Sequence, residues 1–106
     1  MITILTDMNF QKEVIENPEP VLVEFGADWS GACQILAPVL EQLQNDFMGQ
    51  IKIGWLNIEA HAQTTMAYGI KEIPVLLFFK DGNVVDQIIG MAPRQVIAAR
   101  LRALLR

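Results

Sequence analysis

Ser30 and Cys33 stand three residues apart in Trp29-Ser30-Gly31-Ala32-Cys33, a short loop after the apolar run Val21-Leu22-Val23-Glu24-Phe25. Cys33 is the only cysteine among 106 residues, and Glu24 is the only charged residue inside that run. A thiol can attack a disulfide, hold a mixed disulfide or be oxidised to a sulfenic acid. A serine hydroxyl attacks only when a base activates it, and no histidine adjoins Ser30. The run before Gly26 has strand character and the residues after Trp29 have helical periodicity, so both groups fall at a helix N-terminus. Unpaired N–H groups concentrate positive partial charge there, and a thiol in such a place is pushed towards thiolate. One cysteine cannot close a disulfide within the chain.

The elements that must hold this junction can be read in order. Ile2-Thr3-Ile4-Leu5 is short, apolar and β-branched and predicts an edge strand, followed by Thr6 and Asp7 as turn or capping residues. Phe10, Val14 and Ile15 fall at helical spacing within Asn9–Ile15, and Asn17-Pro18-Glu19-Pro20 stops that helix. Val21–Phe25 is almost continuously apolar, which predicts a central strand. Beyond Trp29, Ile35, Leu36, Val39, Leu40, Leu43 and Phe47 form the apolar stripe of a long helix, with Pro38 set to kink it and Gly49 to end it.

A third strand is predicted over Ile51–Ile58, and a short helix over His61–Tyr68 closed by Gly69. Ile73–Phe79 reads as a buried strand entered through Pro74. Lys80-Asp81-Gly82-Asn83 supplies the positive φ of a tight hairpin turn into Val84–Ile89. Gly90-Met91-Ala92-Pro93 leads to a last helix that buries Val96, Ile97, Leu101, Leu104 and Leu105 and leaves Arg94, Arg100, Arg102 and Arg106 in water. The order β-α-β-α-β-α-β-β-α predicts an α/β fold with a mixed sheet covered by helices on both faces.

The composition, 52% hydrophobic and 19% charged, is that of a globular chain, and the length suits one domain over residues 1–106. A net charge of -4 offers no basic face, which argues against nucleic acid and gives no attraction to anionic lipid. The longest apolar run, Ile73–Phe79, falls far short of the ~20 residues that span a bilayer. Met1–Phe10 has no basic residue ahead of its apolar part, so the sequence predicts a cytoplasmic protein. His61 is the only histidine, has no second ligand at metal-binding spacing, and is predicted to face solvent.

Taken together, these motifs resemble the thioredoxin family over essentially the whole chain. The family's Trp-Cys-Gly-Pro-Cys site is matched by Trp29-Ser30-Gly31-Ala32-Cys33. Further matches are Ala37-Pro38, Leu56-Asn57-Ile58, Tyr68-Gly69-Ile70, the cis-proline position Ile73-Pro74, the Asp81-Gly82 turn and Gly90. The resemblance implies a thioredoxin fold, protein-disulfide reduction and no cofactor or metal. It makes Cys33 the resolving-type thiol, Ser30 the position of the attacking cysteine and Glu24 the buried acid that exchanges a proton with the resolving thiol. Trp29, Gly31, Ile73, Pro74, Gly90 and Met91 would rim an apolar groove for an extended protein segment or a protein disulfide. A reductase of the thioredoxin-reductase type is the implied partner where residue 30 is a native cysteine.

The departures carry chemical weight. Serine at 30 closes the dithiol cycle, because its hydroxyl cannot form a disulfide. Ala32 replaces the family proline, Gly26 stands where many relatives carry tryptophan, and Trp55 stands where many carry lysine. Without that cation, burial predicts a Glu24 that is neutral at pH 7. Plainer roles stand beside these: Ser30 as an N-cap, Cys33 as a small packed side chain, Glu24 turned to water at a sheet edge, and Trp29, Ile73, Pro74 and Met91 as ordinary core residues. Two classes of function follow. One is a disulfide oxidoreductase whose nucleophile is replaced, naturally or by design, and the other is a redox-silent chaperone or binding module using the groove. A single-thiol conjugating or sensing role for Cys33 is a third.

Overall fold

The structure is a computed structural model that describes residues Met1 to Arg106. Its strands are β1 (Thr3–Leu5), β2 (Val21–Gly26), β3 (Lys52–Asn57), β4 (Val75–Lys80) and β5 (Asn83–Ile89). Its α-helices are α1 (Gly31–Asp46), α2 (Ala62–Ala67) and α3 (Arg94–Leu104). The helix expected over Asn9–Ile15 is one π-helical turn, Gln11–Ile15, in which Glu16 N–H reaches back five residues to Gln11 O at 2.9 Å. Its entry is fixed reciprocally, Asn9 N–H donating to Thr6 Oγ1 at 3.0 Å and Thr6 N–H to Asn9 Oδ1 at 2.7 Å. With Asn17-Pro18-Glu19-Pro20 directly behind it, no second turn can form.

The sheet order is β1-β3-β2-β4-β5. β1, β3 and β2 run parallel, while β4 is antiparallel to β2 and β5 to β4. β1 is therefore an edge and β2 the centre, as the density of apolar residues in each predicts. Strand alternation sorts the core into two layers. Leu22, Ile53, Leu76 and Phe78 pack against Leu36, Leu40 and Leu43 of α1 and Ile97 and Leu101 of α3. Val21, Val23, Phe25, Leu77 and Phe79 point the other way, towards Phe10 ahead of the π turn, Val14 within it and Tyr68 after α2. Each such buried side chain contributes roughly 1.5–3 kcal/mol of burial free energy.

Three residues assigned to the apolar stripes lie outside them. Ile35 is 65% exposed and Val96 37% exposed. Each sits one residue, about 100° of helix, before a buried neighbour, Leu36 or Ile97, and so turns off the face. Leu105 follows the last turn of α3 as its C-cap and is 42% exposed. Arg100, expected in water, is half-buried and donates to Asp86 Oδ1 at 2.8 Å. Pro38 lies inside a continuous α1, which ends at Asp46, before Gly49. Asp81 and Gly82 both take positive φ, 53° and 80°, in the β4–β5 turn. No helix is long and apolar enough to cross a membrane.

One cross-strand row matters for the site. Ile4 pairs with Trp55, Trp55 with Glu24, and Glu24 with Leu76. Leu76 packs in the α1 layer, so Glu24 and Trp55 stand side by side beneath the start of α1.

Candidate functional site

The C-terminal end of β2 runs through Ala27, Asp28 and Trp29 into α1. Ser30 is the N-cap, with extended φ -77° and ψ 120°, and its Oγ accepts from Cys33 N–H at 3.2 Å. Ser30 N–H donates to Ala27 O at 3.2 Å, and the Gln34 side-chain amide reaches back to Asp28 O at 2.8 Å, so the loop is tied to the helix at both ends. Ser30 is 7% exposed and Cys33 5% exposed. The N-cap role of Ser30 is thus present in the geometry. Removing the hydroxyl in Ser30→Ala leaves a free first-turn N–H and is expected to lower stability by ~1 kcal/mol in denaturant unfolding. Gly31 begins the helix with nothing within 4 Å of where a Cβ would stand, so the rim is open on that side.

Beneath the helix start, Glu24 is 2% exposed and its Oε2 has no hydrogen-bond partner. Burial pushes the Glu24 carboxyl up to about 7, with a hydrogen bond donated by the Cys33 thiol pulling the other way. The sheet-edge alternative for Glu24 fails, because β2 is the central strand. Gly26 allows the close approach of these groups. A Cβ there would lie 2.8 Å from Cys33 Sγ, 3.1 Å from Trp55 Nε1 and 3.3 Å from Glu24 Oε2. Thiol, indole and carboxyl therefore converge on the space a side chain at 26 would fill. Gly26→Ala is expected to destabilise by about 2 kcal/mol through overpacking. In the Cys33→Ala background the nearest contact is gone, and a double-mutant cycle by urea unfolding should return ~1 kcal/mol of the loss.

The groove residues come from the other half of the sheet. Phe25 pairs with Val75, and Val75 with Ile89, so the end of β2, the start of β4 and the end of β5 share one edge. The Ile73–Pro74 peptide is cis and Pro74 is buried. Gly90 N–H donates to Pro74 O at 2.8 Å with Gly90 at φ +90°, a left-handed conformation that favours glycine. Trp29, 65% exposed, and Met91, 47% exposed, are not core residues. Ile73 is half-buried.

His61 is not free in water as expected. Its Nδ1 accepts from Asp7 N–H at 3.2 Å. Asp7 in turn accepts from Thr64 N–H at 2.8 Å and from Thr64 Oγ1 at 2.6 Å, capping the first turn of α2. Those Thr64 hydrogen bonds hold the Asp7 carboxyl below the usual carboxylate range. Asp7 reads in sequence as a turn or capping residue, and it does cap a helix, one whose first turn lies 57 residues further on. Parallel pairing of β1 with β3 ends both strands at one edge and joins the loops that follow them.

The thioredoxin family model matches residues 1–103. Thioredoxin C-2 of Corynebacterium nephridii is 47% identical over 94 residues, 89% of this chain and 87% of that protein. A thioredoxin of Chlorobaculum thiosulfatiphilum is 43% identical over 91% of this chain and 89% of its own. A thioredoxin of Pseudomonas aeruginosa is 39% identical over 96% of this chain and 94% of its own. Since the match takes in every strand from β1 to β5 and identity stays near two residues in five across nearly full-length relatives, the chain belongs to the thioredoxin family of thiol–disulfide oxidoreductases.

Proposed function

We propose that residues 1–106 form one thioredoxin-like domain that engages extended protein segments and protein disulfides at the groove beside Pro74. On this reading the domain does not turn disulfides over by a dithiol cycle, because Ser30 stands at the position of the attacking cysteine. The observation that carries the reading is the pairing of a lone, buried Cys33 with a serine N-cap three residues before it. Reducing a disulfide takes two electrons, which a dithiol supplies by closing its own disulfide. Cys33 alone can at most form a mixed disulfide, which a second, external thiol must resolve. Trp29, Gly31, Ile73, Gly90 and Met91 are the proposed rim of the groove. The exposed Trp29 and Met91 support retained binding, the property of the chaperone-like alternative.

A thioredoxin-reductase-type partner has a role only in a form with cysteine at 30. The proposed location is the cytoplasm, where free thiols are kept reduced. Insulin reduction driven by dithiothreitol tests the proposal. The chain should leave the rate of insulin precipitation at that of dithiothreitol alone, and catalytic acceleration would overturn the reading.

A further inference from the structure

A cavity of about 260 Å³ opens on the β1 side of β2, away from β4 and β5, whose ends Pro74 and Gly90 adjoin. Ile2, Ile4, Leu40 and Trp55 supply apolar wall. Its ionisable lining is Glu24, Asp28, Glu41 and Cys33, with no lysine, arginine or histidine among the lining residues. Glu24 is the innermost of the carboxyls, 2% exposed, and its Oε2 meets no donor from the protein. A buried carboxylate oxygen without a donor is costly, and the shortfall is relieved by a ligand that brings N–H groups and positive charge. Trp55 adds an aromatic face, which attracts organic cations.

We propose that this cavity binds a small primary ammonium ion with an apolar body. The ammonium donates to the Glu24 carboxylate, the innermost acid of the lining, and the hydrocarbon lies against Ile2, Leu40 and Trp55. The volume suits a ligand of about the size of a substituted benzene, since a 150 Å³ apolar cavity is known to hold benzene itself. An anion is disfavoured by three carboxyls, and a neutral ligand of the same shape forfeits the charge-assisted hydrogen bond. The site lies on the other side of β2 from the groove but shares Glu24 and Cys33 with the thiol site, so an ammonium held there would occupy the carboxylate proposed as proton acceptor for Cys33.

Benzylamine is the probe, with benzyl alcohol as its neutral counterpart and benzoate as its anionic one. The readout is the indole N–H resonance of Trp55 in a nitrogen–proton correlation spectrum, told apart from that of Trp29 by Trp29→Phe. At pH 8, benzylamine should shift the Trp55 resonance saturably and bind about tenfold or more tightly than benzyl alcohol, while benzoate leaves it unmoved. Glu24→Gln should erase the preference for the amine. Ala37→Phe, which adds bulk at an exposed lining position and leaves Glu24 intact, should abolish binding of both.

Affinity for the amine should fall as pH drops from 8 to 6 and Glu24 takes up a proton. The other titratable groups around the cavity are Cys33 and Glu41 of α1 and Asp28 of the β2–α1 connection. The neighbouring strands set only Trp55 and Leu76 beside Glu24. Equal affinities for amine and alcohol, or no saturable shift of Trp55 with benzylamine, would overturn the proposal.

Discussion

Ser30→Cys is expected to convert a chain that does not accelerate insulin reduction into one that does, by about tenfold or more over the dithiothreitol background, ~1.4 kcal/mol of barrier. The reasons lie in the geometry of the loop. Residue 30 caps a sixteen-residue helix, and its side-chain oxygen already accepts the Cys33 N–H. A sulfur in that place inherits the same N–H and the positive end of α1, both of which favour thiolate. Attack on a substrate disulfide forms one S–S bond and releases one substrate thiolate. On the proposed roles, Cys33 then displaces the second, its proton passing to the adjacent Glu24 carboxylate, and dithiothreitol reduces the resulting intrachain disulfide.

A thiol is a weaker hydrogen-bond acceptor than a hydroxyl, so the same variant should lose up to about 1 kcal/mol of stability, as Ser30→Ala does. Ser30→Ala therefore serves as the control, sharing the loss of the cap without gaining the thiol. Silence of both variants in the insulin assay would leave the groove as a binding surface and remove the reductase scaffold.

The pattern of the sequence was sufficient for the element order, the central place of β2 and the N-cap at Ser30, because each depends on local periodicity or on one residue's hydrogen-bonding habit. Errors arose where neighbouring apolar residues competed for one helical face. Ile35 and Val96 are as apolar as Leu36 and Ile97, and only the angle between successive residues separates them. The partner of His61 and the helix that Asp7 caps escape the sequence for another reason. Both are brought in by the parallel pairing of β1 with β3, which no local pattern encodes.

Gly26 and Trp55 are the more instructive pair. Each reads as an isolated departure from the family until the structure sets the indole against the space that glycine vacates. The relation is one of shared volume across two strands. Spacing along the chain carries no trace of it. Glu24 is legible in part: a single acid in an apolar run points to burial, and only the sheet order removes the alternative of a carboxylate turned to water at an edge.

That burial leads to the second large effect. Folding stability should fall as pH rises from about 4.5 to about 7, relative to Glu24→Gln, by on the order of 3 kcal/mol. The unfolded carboxyl titrates near its model value of 4.5 and the folded one at about 7, so between those values the native state holds the extra proton. Its contribution is fully present below 4.5, declines through the window and is flat above it. Asp7 and Glu13, whose carboxyls are held low by hydrogen bonds from Thr64 and Lys52, act with the opposite sign and only at lower pH. Their effects cancel when the parent and the variant are compared at each pH by urea unfolding. A difference that stays constant from pH 5 to pH 8 would mean that Glu24 titrates alike in both states. The expected slope also fixes when the acid is available for chemistry. Below pH 7 the proton that stabilises the fold occupies the acceptor that Cys33 would need, so rate in the Ser30→Cys variant should rise over the same interval in which stability falls.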